Sequence, residues 1–598
     1  MMRERALEIA QVDTVEAPVA DAEIADTTSH EDSTVETAIE DAHAPVLFRE
    51  DGEGIEVVVA TDRMRVLLSS AGGEIRSVKL LDYSRNEEES VELVPEGAKG
   101  GMALSVERGG EWRDLSDVVF DVSVDGLPAG NGRQVTVTGQ EQVEVAFEVE
   151  GAGGGRIEKR YTFTGDGYEV GMNVKMRRDG ELQGTGAYSV AWKCGMGLNE
   201  VDEKAEKRLL AALGKVGEEL YKESVGKFGD SREKSFEGGM VIWACARSRY
   251  FLSAIIPEVN RPGSVKLIGS KQESLIGYSI GYPFRGDPRL VEDSFSCYLG
   301  PLDIHRLKGY GNGLEKAIEL GWLRFFSIWI LRLMKMMKSF IPNYGLIIII
   351  LSVLTKVLFY RLTHKSFKSM KDMQRIQPKM KELQEKYKND RERLNKETMK
   401  LYKEAGVNPL GGCLPLLFQM PVFIALFGVL RNTIELRHAP FMLWINDLSS
   451  PDVLFGFGVK LPFLGSNFHL LPVLMGGAMV LQSKLGGSPT GQTGPAAQTK
   501  MMSTMMPIVF TVIFYSMPSG LVLYWLVNNV LTIIQQYYAH KQIEAEEREG
   551  EGGGADPMER DKNRSVDDGA DIKADKVRGR SRKKGKAQSK KSKRRPYN

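Results

Sequence analysis

The sequence is poor in the residues that staple or catalyse. Four cysteines in 598 residues exclude a disulfide scaffold and any cysteine-rich zinc array. The seven histidines are scattered, with no HExxH pair and no cysteines at metal-ligand spacing. The glycine run at 151–155 lacks the Lys-Ser/Thr of a phosphate-binding loop and leads into a strand pattern, so it is expected to be a turn. No catalytic residue, metal, cofactor or small-molecule substrate is expected, and the chain is not expected to be an enzyme. Net charge is missing too, with 79 Lys+Arg against 79 Asp+Glu. Neutrality would argue against a membrane or nucleic-acid partner only if the charges were evenly mixed, and they are not.

What is present falls into blocks. Residues 8–41 hold eleven acids and no Lys or Arg, with no helical or strand period, so 1–45 is expected to be an acidic disordered spacer. Over 46–311 apolar and polar residues alternate, as in Ile55-Glu-Val-Val-Val-Ala60 and Val143-Glu-Val-Ala-Phe-Glu-Val149. Such alternation marks half-buried antiparallel strands, and about 260 residues of it imply a large all-β sandwich. Two strands near Tyr161 and Tyr168 should be joined by a Gly-Asp-Gly turn. One stretch, 200–222, is expected instead to be a short charged helix carrying Leu209, Leu210, Leu213 and Leu220. Cys194, Cys245 and Cys297 are odd in number; buried free thiols or one disulfide plus one thiol both fit.

The next block is strongly apolar. Residues 344–360 carry one charge, Lys356, while 407–430, 461–483 and the 39 residues of 501–539 carry none. A bilayer core takes roughly 20 apolar residues per helix. The long run has Pro518-Ser-Gly520 near its middle and divides into two helices, giving five spanning segments in a polytopic bundle at 341–540. Residues 312–340 mix an apolar face with Arg324, Arg332, Lys335 and Lys338, which suits an amphipathic helix lying in the membrane interface. Between the first two spans, Met373, Ile376, Met380, Leu383 and Tyr387, then Leu394, Thr398 and Leu401, predict a helical hairpin at 364–404, kinked at Pro378. It is either a solvated linker or a mobile docking element for polypeptide or anionic lipid. Residues 541–598 should be a polar linker and a basic tail, with twelve Lys/Arg and no acid over 576–598. That tail suits phosphates of ribosomal RNA or of anionic lipid equally.

Positive loops stay cytoplasmic. The loop 361–406 has fourteen Lys/Arg against seven acids, 431–460 has three of each, and the tail is basic. Five spans then leave the β-domain outside and the C-terminus inside. An exported β-domain needs a signal or span upstream, and the first 45 residues resemble neither. The expectation is that the chain begins downstream of its natural start and lacks a first spanning helix.

Lys356 is the one charge within a span, at a cost of roughly 2.5–3.5 kcal/mol on insertion scales. It is either a cation in a wet cavity or a lysine snorkelling towards the cytoplasmic face, where Arg361 follows. Ser352, Gln419, Asn528 and Asn529 are the polar residues of the spans, and most such residues simply bond neighbouring helices. Inverted repeats, which an ion-coupled transporter or channel would carry, are not seen.

The membrane block resembles the YidC-type membrane protein insertases of the YidC/Oxa/Alb superfamily. The resemblance is carried by Asn408-Pro-Leu-Gly-Gly-Cys-Leu-Pro415, Gln419-Met-Pro421, Glu435-Leu-Arg437, Ala439-Pro-Phe441 and Pro518-Ser-Gly-Leu-Val-Leu-Tyr-Trp525. Leu401-Tyr-Lys403, Pro507-Ile-Val-Phe510 and Thr532-Ile-Ile-Gln-Gln536 extend it. The β-domain is similar, more loosely, to the periplasmic domain of the Gram-negative members, through Gly72-Gly73 and Tyr298-Leu-Gly-Pro301. The resemblance implies an inner-membrane insertase and chaperone with a hydrophilic groove closed to the outside. In that groove Lys356 takes the place of the usual Arg, with Ser352, Gln419, Phe423 and Trp525 beside it. Nascent membrane proteins, the Sec translocon, the ribosome (through tail and hairpin) and anionic lipids are the implied partners. A transporter or channel using Lys356 as counter-ion is the competing class, and an exported binding domain on an inert anchor is a third.

Overall fold

The computed structural model describes Phe48 and residues 54–551, with breaks at 86–87, 152, 229–232, 260, 287, 409–413, 462–464 and 487–495. The acidic spacer, the basic tail, Cys413 and most of the 408–415 motif lie outside the described residues.

Alternating sequence becomes alternating burial. Along Gln142–Glu150, Val143, Val145, Phe147 and Val149 are buried while the residues between them are not. Arg156–Thr164 and Glu169–Arg177 repeat the pattern and pair antiparallel, Phe163 opposite Val170, across the expected Gly-Asp-Gly turn. The 151–155 glycines turn the chain between Glu150 and Arg156, with positive φ at Gly153 and Gly154. Two largely antiparallel sheets result. One includes Glu56–Ala60, Met64–Ser69, Glu74–Ser84, Thr185–Trp192 and Leu275–Pro283. The other includes Gln142–Glu150, Arg156–Thr164, Glu169–Arg177, Leu290–Pro301 and Phe251–Pro257. Glu233–Arg247 joins both, pairing first with Pro262–Ser270 and then with Ala211–Val216 and Phe251–Pro257. Trp192, Trp243, Tyr161, Tyr278 and Phe147 fill the space between. Cys194, Cys245 and Cys297 are buried as unpaired thiols.

The helix expected at 200–222 is not formed. Asp202 caps only a single turn, α1 (Glu203–Lys207), by accepting from the Ala205 N–H at 3.1 Å. Ala211–Val216 and Glu219–Ser224 then make a strand hairpin, with Gly217 at φ +56° in its turn. Tertiary pairing overrides the leucine spacing here, because Ala211–Val216 is also hydrogen-bonded to the second half of Glu233–Arg247.

Helices follow: α2 (Ile304–Gly309), α3 (Arg324–Lys338), α4 (Tyr344–Leu358), α5 (Tyr360–Arg375), α6 (Gln377–Lys386), α7 (Arg391–Glu404), α8 (Leu414–Asn432), α9 (Leu470–Gly486), α10 (Ala496–Phe514) and α11 (Ser519–Glu551). The molecule is thus a β-sandwich followed by a helical region. Five helices, α4, α8, α9, α10 and α11, occupy the five apolar runs, and the chain breaks before Ser519 as Pro518 requires. Among the described residues no single helix is both long and apolar enough to cross a membrane; α4 and α5 together are, bent by 66° between them. The run at 461–483 is only partly helical, because a strand hairpin, Phe455–Leu461 with Gly465–Phe468, takes its first residues. Beyond the apolar run, α11 continues to Glu551, where the Gly552-Gly-Gly554 triplet begins.

In α3, Ser327, Leu331 and Met334 are buried while Phe325, Phe326 and Trp329 are exposed, an amphipathic helix as expected. The chain also breaks at Ile376, with Pro378 in the first turn of α6. Ile376, Met380, Tyr402 and Val407 form the narrow apolar seam between α6 and α7, and Asp390 caps α7 through the Arg393 N–H at 3.0 Å.

Arginines lock sandwich to helices in both directions. Arg437, from the loop after α8, is buried against the sandwich. It donates to Glu200 Oε1 at 2.6 Å, Ser84 O at 2.8 Å and Asn199 O at 3.3 Å. Arg249 of the sandwich donates to Arg431 O at 3.0 Å and Ser449 O at 2.9 Å. Lys335 on α3 bridges Asp303 at 3.7 Å and Glu435.

Candidate functional site

Three helices put their polar residues in register on one face of α11. Trp525, Asn528 and Thr532 are spaced i, i+3, i+7 and so share that face. On α8, Gln419 and Phe423 are one turn apart, as are Ser352 and Lys356 on α4. Gln419 Nε2 donates to Asn528 Oδ1 at 2.9 Å, and Phe423 meets Trp525 edge-on with ring centroids 4.7 Å apart. Rising numbers on α8 therefore meet falling numbers on α11, and the two helices run antiparallel.

Lys356, in the last turn of α4, reaches across to α11. Its Nζ donates to Thr532 Oγ1 at 2.8 Å, and that hydroxyl donates in turn to Asn528 O at 2.6 Å. The Asn528 amide donates to Tyr524 O at 2.8 Å, leaving its oxygen for Gln419. Lysine, threonine, asparagine and glutamine so form one polar chain through an otherwise apolar bundle. Among the described residues no carboxylate forms an ion pair with Lys356; its hydrogen bond is to a neutral hydroxyl. Buried polar atoms nearby on α11, Trp525 Nε1, Asn529 Nδ2, Gln535 Oε1 and Gln536 Oε1, have no hydrogen-bond partner. Buried groups of this kind are costly unless water or a ligand satisfies them.

An aromatic wall continues the site. Trp525 also stacks on Phe510 at 5.8 Å and lies 5.4 Å from Phe514, both on α10. Phe423 is 6.3 Å from Phe514. One end of the α11 face is polar and cationic, and the other is aromatic.

Lys356, Gln419, Phe423 and Trp525 are thus gathered, each partly buried. Ser352 is fully buried, and its hydroxyl donates back to Ile348 O at 2.8 Å within α4. Thr532, Phe510 and Phe514 join the cluster although sequence reading did not single them out as site residues. Thr532 lies 176 positions from Lys356; its i+7 spacing from Trp525 on one helix face, and its place at the head of the 532–536 motif, were the signals for it.

Comparison with known proteins matches both halves of the chain. Residues 56–333 match the YidC periplasmic domain and residues 336–547 the 60Kd inner membrane protein family. The membrane protein insertase YidC of Geobacter metallireducens is 38% identical over 507 residues, spanning 82% of this chain and 87% of that protein. Its counterpart in Chlorobium phaeovibrioides is 35% identical over 550 residues, 90% of each chain. A crystal structure of an active YidC insertase with the first transmembrane domain resolved aligns with 83% of this chain and 95% of that one, at 19% identity and a TM-score of 0.35. With two family matches in tandem and relatives at this identity over most of both chains, this chain belongs to the YidC family of membrane protein insertases.

Proposed function

We propose that the chain inserts nascent membrane proteins by drawing their polar ends to Lys356, within a hydrophilic groove lined by α4, α8 and α11. The observation that carries this is a partly buried ammonium among the apolar helices, held by a neutral threonine hydroxyl rather than by a carboxylate. A fixed cation in a low-dielectric setting attracts an incoming acid more strongly than it would in water. Drawing an acidic N-tail part-way into the bilayer shortens its polar path. The client's apolar segment then partitions into lipid along Phe423 and Trp525. The unpaired amides and indole of α11 support water in the groove. Membrane potential assists, at about 2.3 kcal/mol per negative charge per 100 mV moved outward. These steps break no covalent bond, so no catalytic residue or cofactor is invoked. In this reading α4, α8, α9, α10 and α11 span the inner membrane, α3 lies in its interface, the sandwich is periplasmic, and the C-terminus is cytoplasmic. The hairpin α6–α7 and the basic tail then face the ribosome and anionic lipid, and the Sec translocon is a partner.

Lys and Arg differ in geometry but not in charge. In a strain depleted of its own insertase, Lys356→Arg should restore insertion of acidic-tailed clients and Lys356→Ala should not. Full insertion by the alanine form would remove the groove mechanism. Normal insertion with lost solute flux on depletion would favour a transporter instead.

A further inference from the structure

The strand hairpin between α8 and α9 has no part in the groove, yet it carries exposed aromatic and aliphatic side chains. In Phe455–Leu461, Phe455 and Phe457 are spaced i, i+2 and so share one face, before a register shift and the positive φ of Gly458 interrupt the alternation. Phe468 of the partner strand stacks on Phe455 at 5.1 Å and meets Phe457 at 6.2 Å, extending that face across both strands. Val459 is 63% exposed, Phe455 50%, Val453 43% and Leu454 41%. Residues 453–483 carry a single charge, Lys460. A lone two-stranded ribbon is marginal in water, and one with a half-exposed aromatic face more so.

Its base is fixed at the level where three helices end. Asp452 Oδ2 accepts from the Leu470 and Leu471 N–H groups at 2.9 Å each, capping α9, and from Trp444 Nε1 at 2.9 Å. Tyr515, the first residue beyond α10, donates its hydroxyl to Asn467 O at 3.2 Å. The Ser519 N–H, opening α11, donates to Ser450 O at 2.8 Å. The ribbon thus leaves from the plane in which α9 begins, α10 ends and α11 begins. Its exposed face continues, within a few residues, into the exposed Val473 and Leu474 of α9.

We propose that this hairpin is a lipid anchor, its aromatic face seated in the headgroup boundary of the leaflet nearer the β-sandwich. Continuity with the exposed apolar side of α9 singles out lipid as the occupant, and the near absence of charge fits an interface better than water. Arg437 and Arg249 clasp the preceding loop to the sandwich, so the anchor fixes the sandwich relative to the bilayer as well. The proposal rests on the helical region lying in a bilayer, but not on the Lys356 groove. An insertion assay of Lys356 variants and a measurement of hairpin depth fail independently.

The test is photocrosslinking of the full-length protein in phosphatidylethanolamine–phosphatidylglycerol vesicles, with p-benzoylphenylalanine at Val459 or Phe455. Matched probes at Val473 on α9 and at Leu127, an exposed sandwich residue, give the lipid and water references. Lipid adducts at the hairpin should match those at Val473 and exceed those at Leu127 by about tenfold. Hairpin yields at the Leu127 level would overturn the proposal. So would adducts to a second copy of the chain, or to another protein in native membranes, in place of lipid.

Discussion

At the residue scale, the contact that matters most is Lys356 to Thr532. The hydroxyl accepts from the ammonium and donates to Asn528 O, which fixes both its rotamer and the position of the cation. Hydrogen bonds to charged groups are worth about 1.5–3 kcal/mol, so Thr532→Val, which keeps shape but not the hydroxyl, should cut insertion of acidic-tailed clients about tenfold. Thr532→Ser should remain near wild type, and clients with neutral tails should be little affected. Equal loss for both client classes would make Thr532 a packing residue only. The sequence exposed Lys356 because an isolated charge in an apolar run is conspicuous, and family motifs picked out Gln419, Phe423 and Trp525. It could not pair Lys356 with Thr532, since no local periodicity links positions 176 residues apart. The family resemblance placed Ser352 in the groove; its hydroxyl donates to Ile348 O, four residues back within α4.

At the element scale, local rules succeeded where one face decides the structure. Alternation marked the sandwich strands, and Pro518 divided the last apolar run. They failed at 200–222, where Leu213 lies in a strand paired on both sides and Leu220 in the strand beside it, and at the start of 461–483, where Leu461 and Gly465–Phe468 pair as strands. In both cases hydrogen bonding to a neighbouring strand decided what hydropathy could not. At the α6–α7 hairpin, by contrast, Met373, Ile376, Met380 and Leu401 of the 3-4 pattern pack together. Its seam is narrow: Met380 packs with Ile376, Tyr402 and Val407, and the Thr398 hydroxyl lies 3.6 Å from the Met380 sulfur. Met380→Ala should therefore cost about 2 kcal/mol, the low end for a buried methionine. In hydrogen exchange this would be read as about 30-fold faster exchange across α6 and α7. Unchanged exchange there would mean that the seam does not hold the hairpin.

At the scale of the whole molecule, buried arginines join sandwich and helices. The Arg437–Glu200 pair is almost fully buried, and removing either partner would strand the other at a cost of about 3–5 kcal/mol. Behind Glu200 lies a second carboxyl, Glu206, which is buried and accepts from the Asn199 and Glu200 N–H groups at 2.8 and 3.0 Å. Burial first, and the neighbouring Glu200 charge second, push its pKa from 4.5 up to about 7. The sign follows directly. Between these two values the folded protein keeps a proton that the unfolded chain gives up, so folding is favoured by low pH. This contribution is complete below 4.5 and is lost as pH rises through about 7, an effect of up to about 3 kcal/mol. The melting temperature of the sandwich, followed in the full-length protein, should fall between about pH 5 and pH 8. Glu206→Gln keeps the shape and removes the proton equilibrium, so it should flatten that slope. A slope unchanged in the glutamine form would assign the pH dependence elsewhere. The expected fall would place a proton-sensitive group directly behind the arginine clasp that ties the sandwich to the inserting helices.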